Sequence, residues 1–181
     1  MMLRDATPAD FPAILALNEA FVAVLSPLDA ARLARLHAQA ALHRVIEQDG
    51  RIEAFLLAFR EDADYDGANY RWFAQRYARF LYVDRIVVAG STQARGAGSR
   101  LYGDACALAS RDAVPLITCE FDIEPPNPAS QRFHARLGFR EVGQRQLDGG
   151  NKTVSMQALD LAGEPGVTPD FSIASAGSAR T

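Results

Sequence analysis

The chain has 181 residues, 49% hydrophobic and 23% charged, the balance of an ordinary globular domain with a core of its own. Its formal net charge of -3 leaves no cationic footprint for nucleic acid or an anionic membrane surface. Two cysteines, Cys106 and Cys119, make no disulfide framework, no apolar run reaches membrane-spanning length, and Met1-Met2-Leu3-Arg4-Asp5 does not open a signal peptide; the expected setting is a reducing cytoplasm.

Residues 1–6 suit a short strand. Thr7-Pro8-Ala9-Asp10 has the chemistry of a helix start: a capping threonine, a proline in the first turn and an acid at the positive end. Phe11, Ile14, Leu15, Val22 and Leu25 then form one helical stripe, on which Asn18 also falls. An amide there is either a satisfied core group or a polar group lining a substrate pocket. After Pro27, residues 28–41 read as a second helix. Residues 42–48 and 51–59 are strand-like and flank Asp49-Gly50, a hairpin signal.

Residues 61–69 are acidic and turn-rich, and 70–79 are aromatic and basic. This connection is longer than a hairpin needs, and long connections often carry function. It is either a lid bearing Tyr70 and Trp72 or an amphipathic helix packed on the core. His37 and His43 match no motif and are expected on the surface.

The apolar run from Phe80 to Val88 leads into Val88-Ala-Gly-Ser-Thr-Gln-Ala-Arg-Gly-Ala-Gly-Ser99, and a helix to about residue 111 follows. A glycine-bearing loop at a helix N-terminus turns unpaired N–H groups toward one point and suits a phosphate. Neither the nucleotide triphosphate loop nor the dinucleotide fingerprint fits: no lysine follows Gly98, and position 101 is leucine. A strand at 115–122 ends at Pro125-Pro126. Asn127-Pro128 opens a helix that stops at Gly138. Two strands, 139–147 and 152–161, close the pattern around the turn 148–151. Residues 162–181 lack periodicity and are expected as a flexible tail, leaving one domain over 1–161.

The spacing Gln93-x-x-Gly96-x-Gly98 resembles the acyl-CoA loop of the GNAT (Gcn5-related N-acetyltransferase) superfamily. Asn127-Pro-Ala-Ser-Gln-Arg-Phe-His-Ala-Arg-Leu-Gly-Phe139 is similar to that family's N-x(6)-Y-x(3)-G-F helix, with His134 at the tyrosine position. It also resembles a bacterial subgroup carrying C-E-x(4)-P-P-N-P-x-S-x(2)-F-H. The resemblance implies an α/β acyl-CoA N-acyltransferase fold, a mixed central sheet flanked by helices. It implies acetyl-CoA as cosubstrate, held by Ile86, Val87 and Val88 at the strand end, by Gln93, Ala94, Arg95, Gly96, Ala97, Gly98 and Ser99 in the loop, and by Asn127. The family's usual proline two residues after the valine is Gly90 here, which changes the turn.

Amine acetylation needs a neutral amine, a polarised carbonyl and relief for the departing thiolate. Backbone N–H near Val87 or Val88 polarises the carbonyl, as the resemblance implies. His134 is the candidate general acid, as imidazolium or as a neutral donor; a structural histidine is the alternative. Alternation places residues 82, 84, 86 and 88 on one face, with Arg85 pointing away from Asp84. Glu120 and Asp122 share a face of the next strand. Glu120 ranks first as base or substrate anchor, then Asp84, with Asp122 near the acceptor; structural ion pairing is the alternative for each. The acids lean toward a cationic amine. No metal-ligand spacing and no serine hydrolase elbow is present. The expected function is N-acetyl transfer to a small-molecule or protein amine. A non-catalytic acyl-CoA-binding regulatory module, transfer of another acyl group, and a homodimer stay open.

Overall fold

A computed structural model describes residues 1–22, 25–90, 92 and 95–162, with Asp148 by its backbone alone. All of the expected 162–181 tail beyond Ala162, and Gln93 and Ala94 of the loop, lie outside the described residues. The strands are β1 (Met2–Asp5), β2 (Leu42–Gln48), β3 (Arg51–Arg60), β4 (Leu81–Val88), β5 (Leu116–Glu124), β6 (Arg140–Leu147) and β7 (Lys152–Asp160). The helices are α1 (Phe11–Ala20), α2 (Ala30–Gln39), α3 (Ala68–Ala74), α4 (Ala97–Arg111) and α5 (Pro128–Arg136). One seven-stranded sheet runs in the order β1-β2-β3-β4-β5-β7-β6. Every pairing is antiparallel except β4 with β5, so the sheet is mixed, as expected.

The local chemistry mostly follows the sequence. The Asp49-Gly50 turn takes two positive φ values, 52° and 75°, which match the twist of a two-residue hairpin. At the first helix start Thr7 works through Asp10: its N–H and hydroxyl both donate to Asp10 Oδ2, at 2.8 and 2.9 Å. The same carboxylate accepts two bonds from Arg4 of β1, at 2.7 and 2.8 Å, which holds it well below the usual carboxylate range. A short 3-10 turn, Pro8–Asp10, therefore precedes regular helix. α1 ends at Ala20, so Val22 falls outside the predicted stripe and is exposed.

His43 departs from its expected surface place. It is buried beside Phe11, His37 and Phe55, with its Nδ1 2.8 Å from that of His37. β2 is covered on both faces (Val45 and Ile46 are each fully buried), so alternation offers His43 no wet side.

β4 holds the main departure. Leu57 of β3 pairs with Arg85 and the next residue, Ala58, with Val83, so Asp84 is an extra residue, a β-bulge. A bulge shifts the alternation by one. Tyr82 packs with Phe73, Phe80 and Met156, whereas Ile86 and Val88 pack with the core under α4. The single face expected for 82, 84, 86 and 88 is therefore broken at Asp84. Beyond the bulge lies a second break in the sheet: β4 and β5 pair at Leu81↔Ile117 and Tyr82↔Thr118 and then diverge.

Candidate active site

The divergence of β4 from β5 opens a cavity of about 580 Å³ on the α4–α5 side. Its walls include Val83 to Val88, Gly98, Glu120 to Asp122, and Asn127, Phe133 and His134. A second cavity of about 260 Å³ is lined by Tyr65, Asn69, Tyr82, Leu147, Lys152 and Val154. Asp84, Arg85, Glu120, Phe121 and Asp122 line both, so the strand gap is where the two spaces meet.

The loop before α4 is shaped by hydrogen bonds and by two glycines. The buried Thr92 donates its hydroxyl to Ala89 O at 3.0 Å, and Arg95 N–H donates to Thr92 O at 3.0 Å. Gly96 sits at φ 73°, a left-handed conformation that glycine adopts without steric cost, and delivers the chain into α4. Gly98 is small for another reason: a Cβ there would lie 2.8 Å from the ring of Phe133. Ala97 and Ser99 complete the first turn, with Ala97 fully buried and Ser99 half-buried. α4 is 15 residues long, so its N-terminal N–H groups carry a full helix dipole toward an anion. Arg95 is exposed and donates to Gln48 at 3.2 Å. Asn127 caps α5, accepting from Ser130 N–H at 3.1 Å, and lines the larger cavity. An elongated anionic donor fits these residues: the gap gives it a slot and α4 gives its phosphates a positive end.

Glu120 has the most unusual environment of the acids. Its Oε1 accepts from Asn69 Nδ2 at 2.8 Å and from the Tyr82 hydroxyl at 2.9 Å, while its Oε2 is shut off from solvent without a hydrogen-bond partner. Burial pushes the carboxyl up to about 7, with Asp84's charge adding to the rise and the Asn69 and Tyr82 bonds opposing it. Asp84 accepts from the Tyr65 hydroxyl and from Arg85 Nε, the latter at 2.6 Å. The bulge brings Arg85 to Asp84, contrary to the alternation expected of a regular strand. Arg85 is itself buried and donates on to Asn18 Oδ1 at 2.8 Å. Asp122 is buried and pairs with Lys152 at 3.0 Å. With Asp84 and Asp122 each beside a cation, the lean toward a cationic acceptor rests on Glu120 alone.

His134 is buried and edge-on to Tyr102, with Phe121 stacked over it. Its Nδ1 lies 2.9 Å from Ser130 O, an acceptor, so that nitrogen carries the hydrogen. Its Nε2, 2.8 Å from the Tyr102 hydroxyl, is then the acceptor. Burial pushes the imidazole down to about 4, and it is neutral at pH 7. Both ring nitrogens are engaged by the protein.

Three expected acceptor-side residues sit elsewhere. Asn18 is 1% exposed; its amide donates to Ser26 O and its Oδ1 takes Arg85, so it anchors the bulge from α1. Tyr70 is buried and donates to Arg60 O at 2.8 Å. Trp72 lies against Gly143 of β6 and under the Arg76 guanidinium. The long connection does reach the site, through Tyr65 and Asn69 instead. Neither belongs to a motif, and only the length of the connection signalled them. Arg85, Tyr82 and Lys152 were also missed: each is an ordinary strand residue until the sheet is assembled. Among the described residues no group of three or more His, Cys, Asp or Glu side chains is placed to hold a metal ion.

Fold and cleft together define an α/β domain whose sheet opens between two parallel strands beside a glycine-led helix. The sequence profile of the acetyltransferase (GNAT) family matches residues 10–139, and the chain belongs to that family and is an acyltransferase. Solved structures with the same fold include the ribosomal-protein-S18-alanine N-acetyltransferase from Escherichia coli (TM-score 0.67, 16% identity, 91% of this chain and 96% of that chain covered). Ard1 from Thermoplasma volcanium is similar at TM-score 0.72 and 13% identity, with 88% and 96% covered. So is yncA from Salmonella typhimurium, whose structure holds its cofactor acetyl-CoA, at TM-score 0.65 and 22% identity, with 94% and 98% covered. A search of curated protein sequences returns no match. Acetyl-CoA-dependent acetyl transfer is the general reaction of the family. No helix among the described residues is long and apolar enough to cross a membrane.

Proposed function

We propose that this chain, acting through a domain of residues 1–161, moves the acetyl group of acetyl-CoA onto an amine of a small molecule or protein by direct attack. The observation that carries this reading is Glu120: a carboxylate at the junction of two cavities, with one oxygen held and the other without a partner. Acetyl-CoA supplies an activated acyl carbon, so that a C–N bond forms as the C–S bond breaks, the sulfur leaves as thiolate, and the second proton, shed by the nitrogen on acylation, passes to that thiolate or to solvent. The larger cavity takes the donor, with Ile86, Val87, Val88 and Asn127 along its arm and the first turn of α4 at its phosphates. The smaller cavity takes the acceptor.

Glu120 Oε2 receives the proton that the ammonium must lose before it can attack. A carboxyl at about 7 suits that task, because it is ionised above neutrality yet basic enough to take a proton. Asp84 is the weaker candidate base, since both of its oxygens are already engaged by Tyr65 and Arg85. His134 enters as a neutral wall of the cavity, with no free nitrogen for the departing sulfur. The E. coli relative is named for an alanine of a ribosomal protein, which makes a protein amine one acceptor class to test.

Calorimetry with acetyl-CoA and with CoA tests the donor site; no binding at millimolar ligand rejects the reading. Thiol release across a panel of amines then separates a catalyst from an acyl-CoA-binding module. Binding without thiol release to any amine favours the module, for which the fully engaged His134 is the structural support.

A further inference from the structure

We infer that helix α3 is a positioning device for Glu120, in which Asn69, oriented by Arg145 of β6, fixes one carboxylate oxygen and leaves the other for the acceptor amine. The inference rests on Glu120 as the base. It begins with a question of orientation. An asparagine amide can present either its oxygen or its NH₂ to a carboxylate, and only the NH₂ is attractive. Arg145 settles it: a guanidinium only donates, and its Nη1 lies 2.5 Å from Asn69 Oδ1. Nδ2 is therefore the end that faces Glu120, at 2.8 Å.

The seat of α3 is built for this contact. Trp72 and Asn69 are three residues apart and share one face of the helix. Gly143 and Arg145 are two residues apart and share one face of β6. The Trp72 ring fills the space above Gly143, where a Cβ would lie 2.6 Å from it. Docking of the indole on the glycine thus sets the amide beside the guanidinium. The aromatic side chain that the sequence offers as a substrate contact is the anchor of the device.

Several charges face Glu120 besides this pair. From β4, Asp84 raises its carboxyl, while the Tyr82 hydroxyl lowers it by bonding to the same Oε1 as Asn69. Tyr65 of the long connection, and Tyr102 and Cys119 beneath, are held in their neutral forms by burial and by the Glu120 charge. Asp122 and Lys152, also in the acceptor cavity, are paired with each other. Arg145 is the cation whose charge lowers Glu120, so it acts both directly and through Asn69.

The test follows the Glu120 carboxyl carbon by ¹³C NMR against pH, assigned with Glu120→Gln, on the full chain. The wild-type midpoint is expected near about 7. Asn69→Leu is expected to raise it by about one pH unit, the size of one hydrogen bond to an ionised carboxylate. Arg145→Gln, at a half-buried position of the edge strand β6, is expected to raise it too, and Arg145→Lys to restore it. The acid limb of thiol release, measured with the fastest amine of the panel, moves with the midpoint. An unmoved midpoint in both Asn69→Leu and Arg145→Gln overturns the inference. A midpoint that moves while the acid limb stays, or an acid limb retained in Glu120→Gln, overturns Glu120 as the base instead.

Discussion

His134 occupies the place where the family pattern carries a tyrosine, and its surroundings decide what it does. The same stacking and burial that hold the ring against Phe121 and Tyr102 strip the imidazolium of hydration and keep it neutral. A neutral ring whose hydrogen points at Ser130 O has nothing to give a thiolate. His134→Gln is therefore expected to leave the basic limb of kcat unmoved. It should lower stability by about 1–3 kcal/mol, because the buried Tyr102 hydroxyl loses its acceptor. Chemical denaturation and a pH–rate profile on the same variant check both halves. The position of His134 was legible in the sequence, but its protonation was not. Spacing reports which residue lies at a site; burial, which comes from three elements folding together, sets the charge state. Asn18 teaches the same lesson: its place on an apolar stripe was plain, whereas its partner, Arg85, is 67 residues away.

At the scale of elements, the α4 helix start and α5 are one unit. Gly98 in the first turn of α4 and Phe133 on α5 pack so closely that a methyl group at Gly98 requires the ring to shift. An alanine at a helix position ordinarily stabilises by about 1 kcal/mol over glycine. Here that gain is expected to vanish, because the new methyl group drives the Phe133 ring toward the donor cavity. Gly98→Ala should bind CoA at least tenfold more weakly by calorimetry, and adding Phe133→Leu should recover most of the loss. An unchanged CoA affinity in Gly98→Ala would remove this coupling. Strand and helix order could be read from turn residues, prolines and periodicity, since these act locally. The Asp84 bulge could not. Tyr82-Val-Asp-Arg-Ile sets two charges side by side in an apolar run, but the extra residue exists only relative to its partner β3. The inversion of Arg85 onto Asp84, and with it the compensation of that acid, followed from that one unreadable feature.

Across the whole molecule, three titrating groups displaced by burial give a measurable sum. His43, in the corner of α1, α2 and β2, and His134, on the buried face of α5, are both held at about 4 by burial, below an ordinary 6.5. Their contribution to stability is present above about 6.5 and lost as pH falls through about 4. Glu120 has the opposite sign: its carboxyl is raised from 4.5 to about 7, so its contribution is present at low pH and lost as pH rises through about 7. Asp10, held low by Arg4, is ionised in both states above pH 5 and drops out of the sum. At pH 5.5 unfolding lets two imidazoles each take up a proton while Glu120 releases one, so net uptake is about one proton. Stability should therefore still rise with pH between about 4.5 and 6.5, but with half the slope that the histidines alone would give. Calorimetric unfolding at pH 5.5 in buffers of different ionisation enthalpy reads this proton count directly. Glu120→Gln is expected to raise the uptake to about two protons, and His134→Gln to lower it to about zero, since the folded-state His134 is neutral and puts no charge on Glu120. A wild-type chain that takes up no proton at pH 5.5, or releases one, would mean that these three side chains are not held in the folded state as their burial requires.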